Sequence, residues 1–251
     1  MQNEQQCTNE SDLSDRISRK IWIVTTAALP WKTGTSINPL MRALYILRKS
    51  PGHEVFLMIP WLEDRVDRVD LYGTDINFDD GRAGRMQQID FVKNWASKSA
   101  KMPVEANKLL FRFYPAKYQR QLGSIFPLIN ICSLIKKADA DVAILEEPEH
   151  INWLRMPSIQ EASDYDDASD RCASWSDDFN HVIGIIHTNY PAYAKGQGAI
   201  SGLITAPTIG LLSSIVVQAY CHRVIKLSET LPNFAPWKEC TCNVHGVRSG
   251  E

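Results

Sequence analysis

"HVIGIIHTNY", residues 181–190, decides how the chain is read. Val182, Ile183, Ile185 and Ile186 make a short, near-continuous apolar run, which then stops in His187, Thr188, Asn189 and Tyr190. Apolar residues without polar alternation mark a strand covered on both faces. A strand of that kind that ends in four hydrogen-bonding side chains also delivers them to one rim of its sheet.

The same cadence recurs along the chain. "IWIVTTAA" (21–28), "EVFLMIPW" (54–61), "KLLFRFYP" (108–115), "DVAILEEP" (141–148) and "HRVIKLSE" (222–229) each run apolar and close in polar or turn residues. Helical patterns lie between them. In "NPLMRALYILRKS", Leu40, Met41, Leu44 and Leu47 share one helix face, with Asn38 placed as the cap, Pro39 in the first turn and Ser50-Pro51-Gly52 as the stop. Strands alternating with helices give right-handed crossovers and a parallel sheet. The expected fold is therefore α/β, a Rossmann-like doubly wound parallel sheet. Two segments break the rhythm. Residues 62–86 read as a charged, Gly-punctuated surface excursion with at most one short element, and residues 160–178, with seven carboxylates against Arg171, read as a solvated acidic loop.

Composition narrows the class. The chain has 251 residues, 44% hydrophobic and 22% charged, and a formal charge of -2, so nothing drives it globally toward nucleic acid. Its six cysteines (Cys7, Cys132, Cys172, Cys221, Cys240 and Cys242) are scattered over a chain with a large core, which favours reduced thiols over a disulfide framework. The spacing of Cys240 and Cys242 does not suit zinc, and no metal site is expected. Residues 1–20, polar and acidic, lack the apolar core of a secretory signal and read as a disordered tail. "LITAPTIGLLSSIVVQAY" (203–220) contains Pro207, Gln218 and four hydroxyl residues, and reads as a helix packed inside the domain rather than a membrane span.

Ligands of open parallel sheets bind beyond the carboxyl ends of the strands. Three such ends carry chemistry here. Gly34 lies in "TTAALPWKTGTSINP" (25–39), a loop of small and hydroxylated residues running into the helix; it is either an ordinary turn or an anion site at a helix N-terminus. It matches neither a dinucleotide fingerprint nor a P-loop, which weakens an oxidoreductase reading. In "LEEPEH", Glu146, Glu147, Glu149 and His150 crowd carboxylates that serve as acid, base or sugar ligands, or simply face the positive pole of a helix. His187 is either satisfied locally or projects into the same cleft.

The strings "TTAALPWKTGTSINPL", "FLMIPW", "FRFYPAKY", "ADVAILEEPEH", "VIGIIHTNY", "AYCHRVIKLS" and "NVHGV" resemble, in this order, the amino-terminal half of plant-type digalactosyldiacylglycerol synthases, from about Ile21 to Val247. The resemblance implies a retaining, family 4-like glycosyltransferase of the two-domain GT-B type that transfers galactose from UDP-galactose to monogalactosyldiacylglycerol, with no cofactor. It implies a peripheral, cytosol-facing place on the chloroplast outer envelope. Residues 21–247 would form the Rossmann-like acceptor-side domain, and 248–251 a truncated linker to a donor domain, so that the chain alone is expected to be inactive. By motif, Gly34 and Thr35, with Asn38 beside them, would close on the donor diphosphate. His187 would face the sugars, flanked by Thr188 and Asn189, and Glu146, Glu147 and Glu149 would line the substrate site without assigned roles. The implied partners are a galactolipid acceptor, a membrane surface and a full-length synthase; nucleic acid is not among them. The alternative is a non-catalytic shortened paralogue that binds galactolipid or such a synthase. The segment after Tyr190, rich in Gly and small apolar residues, departs from the charged helix expected of the family, as does the acidic insertion.

Overall fold

The computed structural model describes residues 18–152, 168–189 and 201–242, without the side chains of 168 and 201–206. Eight strands form one sheet: β1 (Lys20–Val24), β2 (Glu54–Leu62), β3 (Leu110–Gln119), β4 (Ser124–Pro127), β5 (Val142–Glu146), β6 (His181–Ile186), β7 (Arg223–Lys226) and β8 (Glu239–Thr241). Their order is β4-β3-β2-β1-β5-β6-β7-β8, parallel throughout except where β4 turns back antiparallel on β3. From β1 the chain builds outward through β2 and β3. It then returns to lay β5 on the other side of β1. That reversal is a topological switch, and the expected Rossmann-like α/β sheet is the one observed.

Strand periodicity divides the core in two. Ile21 and Ile23 pack with Leu40, Leu44 and Leu47 of helix α1 (Gly34–Lys49), whereas Trp22 and Val24 face Trp61, Tyr114 and Trp175 on the opposite side. Helices α2 (Arg65–Tyr72), α3 (Gly81–Lys98) and α4 (Pro103–Lys108) precede β3. Helix α5 (Pro148–Ile151) follows β5 directly, α6 (Trp175–Asp178) precedes β6, and α7 (Ser201–Tyr220) precedes β7.

Several sequence expectations are corrected. Helix α1 starts four residues before Asn38: Thr33 is its cap residue, and Ser36 Oγ accepts from the Thr33 N–H at 3.2 Å. Pro39 therefore sits inside the helix, where it leaves the Thr35 carbonyl without its usual N–H partner. The Thr25 hydroxyl donates to that carbonyl at 2.9 Å, so the proline is accommodated by a side chain from the end of β1. The charged excursion holds α2 and the start of α3, tied down by Arg68, which is buried and donates to the Leu62 carbonyl at 2.7 Å. Within the acidic segment, 160–167 lies outside the described residues, but 171–178 is folded onto the body through buried Cys172 and Trp175. Asp178 Oδ2 there accepts from the Ala173 and Ser174 N–H groups, which hold its carboxyl below its ordinary range. Helix α7 is not enclosed: Ser213 and Val217 are buried, whereas Leu211, Leu212 and Ile215 are exposed. Among the described residues no helix is long and apolar enough to cross a membrane.

Gly184 brings β6, α5 and the end of α7 together. A Cβ there would lie 2.8 Å from Cys221 Sγ and 2.9 Å from Pro148 Cγ, whereas one on Gly52 would meet nothing within 4 Å. Gly184→Ala is expected to lower stability by roughly 1–3 kcal/mol in urea unfolding, with Gly52→Ala close to the parent. Equal midpoints for the two variants would contradict this packing.

Candidate functional site

Strands β1, β5 and β6 end side by side at the switch, and their last residues build one cluster. After Glu146 the backbone turns through Glu147, which is left-handed at φ 60° and ψ 63°. For a glutamate this conformation costs on the order of 1 kcal/mol. It is locked by the Glu147 N–H bonding the Ile185 carbonyl at 2.9 Å and by its own carbonyl accepting from the His150 and Ile151 N–H groups. The turn lets Glu146 and Glu147 face the same rim, and both are buried.

Two buried carboxylates need donors and positive charge. Arg42 of α1 supplies both to Glu146, with Nε 2.7 Å from Oε1. Thr26, just past β1, donates to Glu147 Oε2 at 3.0 Å, and the Thr188 hydroxyl donates to Oε1. His187 sits between the two acids, with Nε2 3.5 Å from Glu146 Oε2 and Nδ1 3.5 Å from Glu147 Oε1. Burial favours the neutral ring, but the approach and charge of Glu146 and Glu147 outweigh it and raise the His187 pKa above its ordinary value. Burial likewise pushes Glu146 up, and His187 with Arg42 brings it below the usual carboxylate range. His187 is thus biased toward the imidazolium, clamped by two carboxylates. At 3.5 Å its Nε2 and Glu146 Oε2 are too far apart for a good hydrogen bond, and neither bonds to another group among the described residues. A donor and an acceptor so placed suit a bridging hydroxyl.

The residues singled out from the sequence separate accordingly. Glu146, Glu147, His187 and Thr188 come together, and Asn189 follows at the same strand end. Gly34, Thr35 and Asn38 lie on that rim but outside the carboxylate cluster. Gly34 is the exposed first residue of α1, Thr35 shares a 2.7 Å hydroxyl contact with Thr33, and exposed Asn38 stands one helical turn before Arg42. Glu149 points elsewhere. It is fully buried, and neither carboxyl oxygen accepts from another of the described residues; burial first, then the charge of Glu147, pushes its pKa well above the ordinary value. His150 Nε2 donates to the Ile125 carbonyl at 3.0 Å, and burial lowers its pKa. Thr26 and Arg42 are the contributors that sequence reasoning missed. Arg42 falls four residues after Asn38 and eight after Gly34, and that helical stripe was its available signal.

Glu149 sets a pH dependence. Its folded pKa is raised, so the stability it confers is complete below its unfolded pKa and is lost as pH rises through the folded one. Glu149→Gln removes that loss. The variant's Tm is expected to gain on the parent's as pH increases from 4 to 8, and parallel curves would show that the carboxyl is not held neutral.

No family model matches the chain. Curated relatives do. The chain is 36% identical over 236 residues to digalactosyldiacylglycerol synthase 1, chloroplastic, of Lotus japonicus, which covers 94% of the chain and 26% of that relative. It is 36% identical over 229 residues to the Arabidopsis thaliana protein of the same name, covering 91% of the chain and 25% of the relative. Against digalactosyldiacylglycerol synthase 2, chloroplastic, of Arabidopsis thaliana it is 35% identical over 237 residues, 94% of the chain and 44% of the relative. The chain therefore spans between a quarter and less than half of the length of these proteins. Across about nine-tenths of its own length, it is a homologue of the digalactosyldiacylglycerol synthases.

Proposed function

We propose that the chain serves galactolipid biosynthesis as the acceptor-side domain of a GT-B galactosyltransferase, in which galactose passes from UDP-galactose to monogalactosyldiacylglycerol. The observation that carries this reading is the facing pair His187 Nε2 and Glu146 Oε2, 3.5 Å apart at the sheet's switch point and hydrogen-bonded to none of the described residues. A sugar offers hydroxyls that both donate and accept, and one hydroxyl brought beside the pair, within reach of both atoms, would satisfy both.

In the proposed reaction the bond from galactose C1 to the diphosphate oxygen breaks and a bond from C1 to the acceptor hydroxyl oxygen forms. Positive charge develops on the galactose ring as UDP leaves. Glu146 and Glu147 are fixed before that charge appears, held by Arg42, Thr26 and Thr188, so they need no reorganisation to meet it. His187, whose protonated form its two acids favour, is assigned to orienting a hydroxyl rather than to accepting a proton. Gly34, Thr35 and Asn38, at the start of α1, are assigned to the donor diphosphate, where N–H groups and the helix pole favour an anion. UDP-galactose is the donor substrate, and no cofactor or metal is assigned.

The acceptor is a lipid, and the exposed Leu211, Leu212 and Ile215 of α7 support peripheral contact with a membrane. The relatives are named chloroplastic, which supports a chloroplast location; we assign the cytosolic face of its outer envelope. A full-length synthase is the proposed protein partner.

The test is a chimera in which this chain replaces the matching segment of the Lotus japonicus synthase 1. His187→Ala in that chimera is expected to lower turnover about 100-fold or more while circular dichroism keeps the parent's spectrum at the assay temperature, with a Tm below the parent's because the two acids lose a partner. Turnover within twofold of the parent would remove His187 from the site. A chimera that binds galactolipid vesicles but transfers no galactose with His187 intact would mark the chain as a binding module instead.

A further inference from the structure

We propose that Cys132 and Cys172 are a modification site: a buried dithiol pair that closes to a reversible disulfide by exchange with a small disulfide such as oxidised glutathione. The two cysteines are far apart in sequence, and the backbone brings them together. The Cys172 N–H bonds the Ile135 carbonyl at 3.0 Å, and the Ile135 N–H bonds the Cys132 carbonyl at 3.1 Å. Lys136 and Arg171 form an antiparallel bridge between the same two segments, and Arg171 Nη1 reaches the Leu134 carbonyl at 3.0 Å. Both thiols are buried in one apolar cluster, where Cys132 stands close enough to Cys172 to lower its pKa. The other thiols among the described residues are placed differently: Cys221 is buried against Gly184, and Cys240 and Cys242 are exposed at β8.

The chemistry follows from this pairing. The neighbouring Cys132 thiol, acting against burial, holds the Cys172 thiol below its ordinary range, which favours it as the attacking sulfur. Cys172 is 1% exposed, so the reagent meets it when residues 171–178 open locally; its thiolate then displaces one glutathione thiolate from the reagent, leaving a mixed disulfide on Cys172. Cys132, after losing its proton, attacks the Cys172 sulfur and expels the second glutathione thiolate. Two electrons leave the protein pair, one glutathione disulfide is reduced to two thiols, and the two protein protons end on them.

The bond would staple residues 171–178 to the turn at Ile131–Leu134. That segment reaches the candidate site from behind. Trp175 Nε1 donates to Asn152 Oδ1 at 3.2 Å, and Asn152 Nδ2 donates to the Pro148 carbonyl at 2.7 Å, at the start of the helix that follows Glu147. Oxidation would therefore stiffen the support of α5 without touching His187.

The folded full chain is incubated in glutathione redox buffers, trapped with acid, alkylated and digested without reduction. A Cys132–Cys172 crosslinked peptide is expected, reversed by dithiothreitol. A Tm raised by roughly 5–10 °C is expected for the oxidised protein, and no rise for Cys132→Ser or Cys172→Ser treated alike. Crosslinking only in denaturant, or glutathione found only on Cys240 and Cys242, would overturn the proposal. The peptide map is read on the unsubstituted protein, so it holds even where a serine variant folds poorly.

Discussion

Two neighbouring carboxylates buried at one sheet rim form the constraint around which this structure is arranged. Glu146 and Glu147 repel each other, and removing both from water costs several kcal/mol per ion unless charge and donors replace the solvent. The replacements come from three separate parts of the chain: Thr26 from the end of β1, Arg42 from α1, and His187 with Thr188 from the end of β6, while the backbone of Glu147's own turn is bonded to Ile185. The register of β1, β5 and β6 is therefore tied to the polar cluster as well as to the apolar core. A shift of one residue in β6 would carry His187 away from both acids and leave them unpaired.

Supports of the cluster are themselves supported. The Thr25 carbonyl accepts from Tyr114 Oη at 2.8 Å, and the Leu29 carbonyl from Gln88 Nε2 at 2.8 Å, so the buried segment between β1 and α1 is fastened from β3 and α3. The Thr25 hydroxyl in turn fills the place that Pro39 cannot serve within α1. The helix bearing Arg42 thus owes its placement to contacts that begin across the sheet. Rigid elements, rather than free loops, hold the charged groups, which is the arrangement expected where preorganised dipoles matter.

Much of this was legible in the sequence, and the exceptions have physical causes. The six central strands could be read because apolar runs stop abruptly in polar residues, and that same punctuation marked Glu146, Glu147 and His187. Strands β4 and β8 were missed because "SIFP" and "ECT" are too short to show a period. Asn38 and Pro39 imitate a helix start, and only a tertiary contact from Thr25 allows the helix to begin earlier. The acids of 171–178 concealed an apolar anchor, Cys172 and Trp175, because two residues do not make a pattern. "LEEPEH" reads as one group of acids. The left-handed turn at Glu147 divides it, sending two to the rim and burying Glu149 on the other side. Arg42 left only its place on the helical stripe below Gly34 and Asn38, a faint mark, since a lone arginine on a helix ordinarily faces water.

That left-handed residue bears on how the protein would respond to selection for robustness alone. At position 147 a glycine would relax the backbone, and asparagine is the next best tolerated there. Either one would discard a carboxylate to which Thr26, Thr188 and His187 all turn. Directed evolution for thermal tolerance would accordingly drift away from glutamate at this position, whereas retention of glutamate under such pressure would report a purpose other than folding.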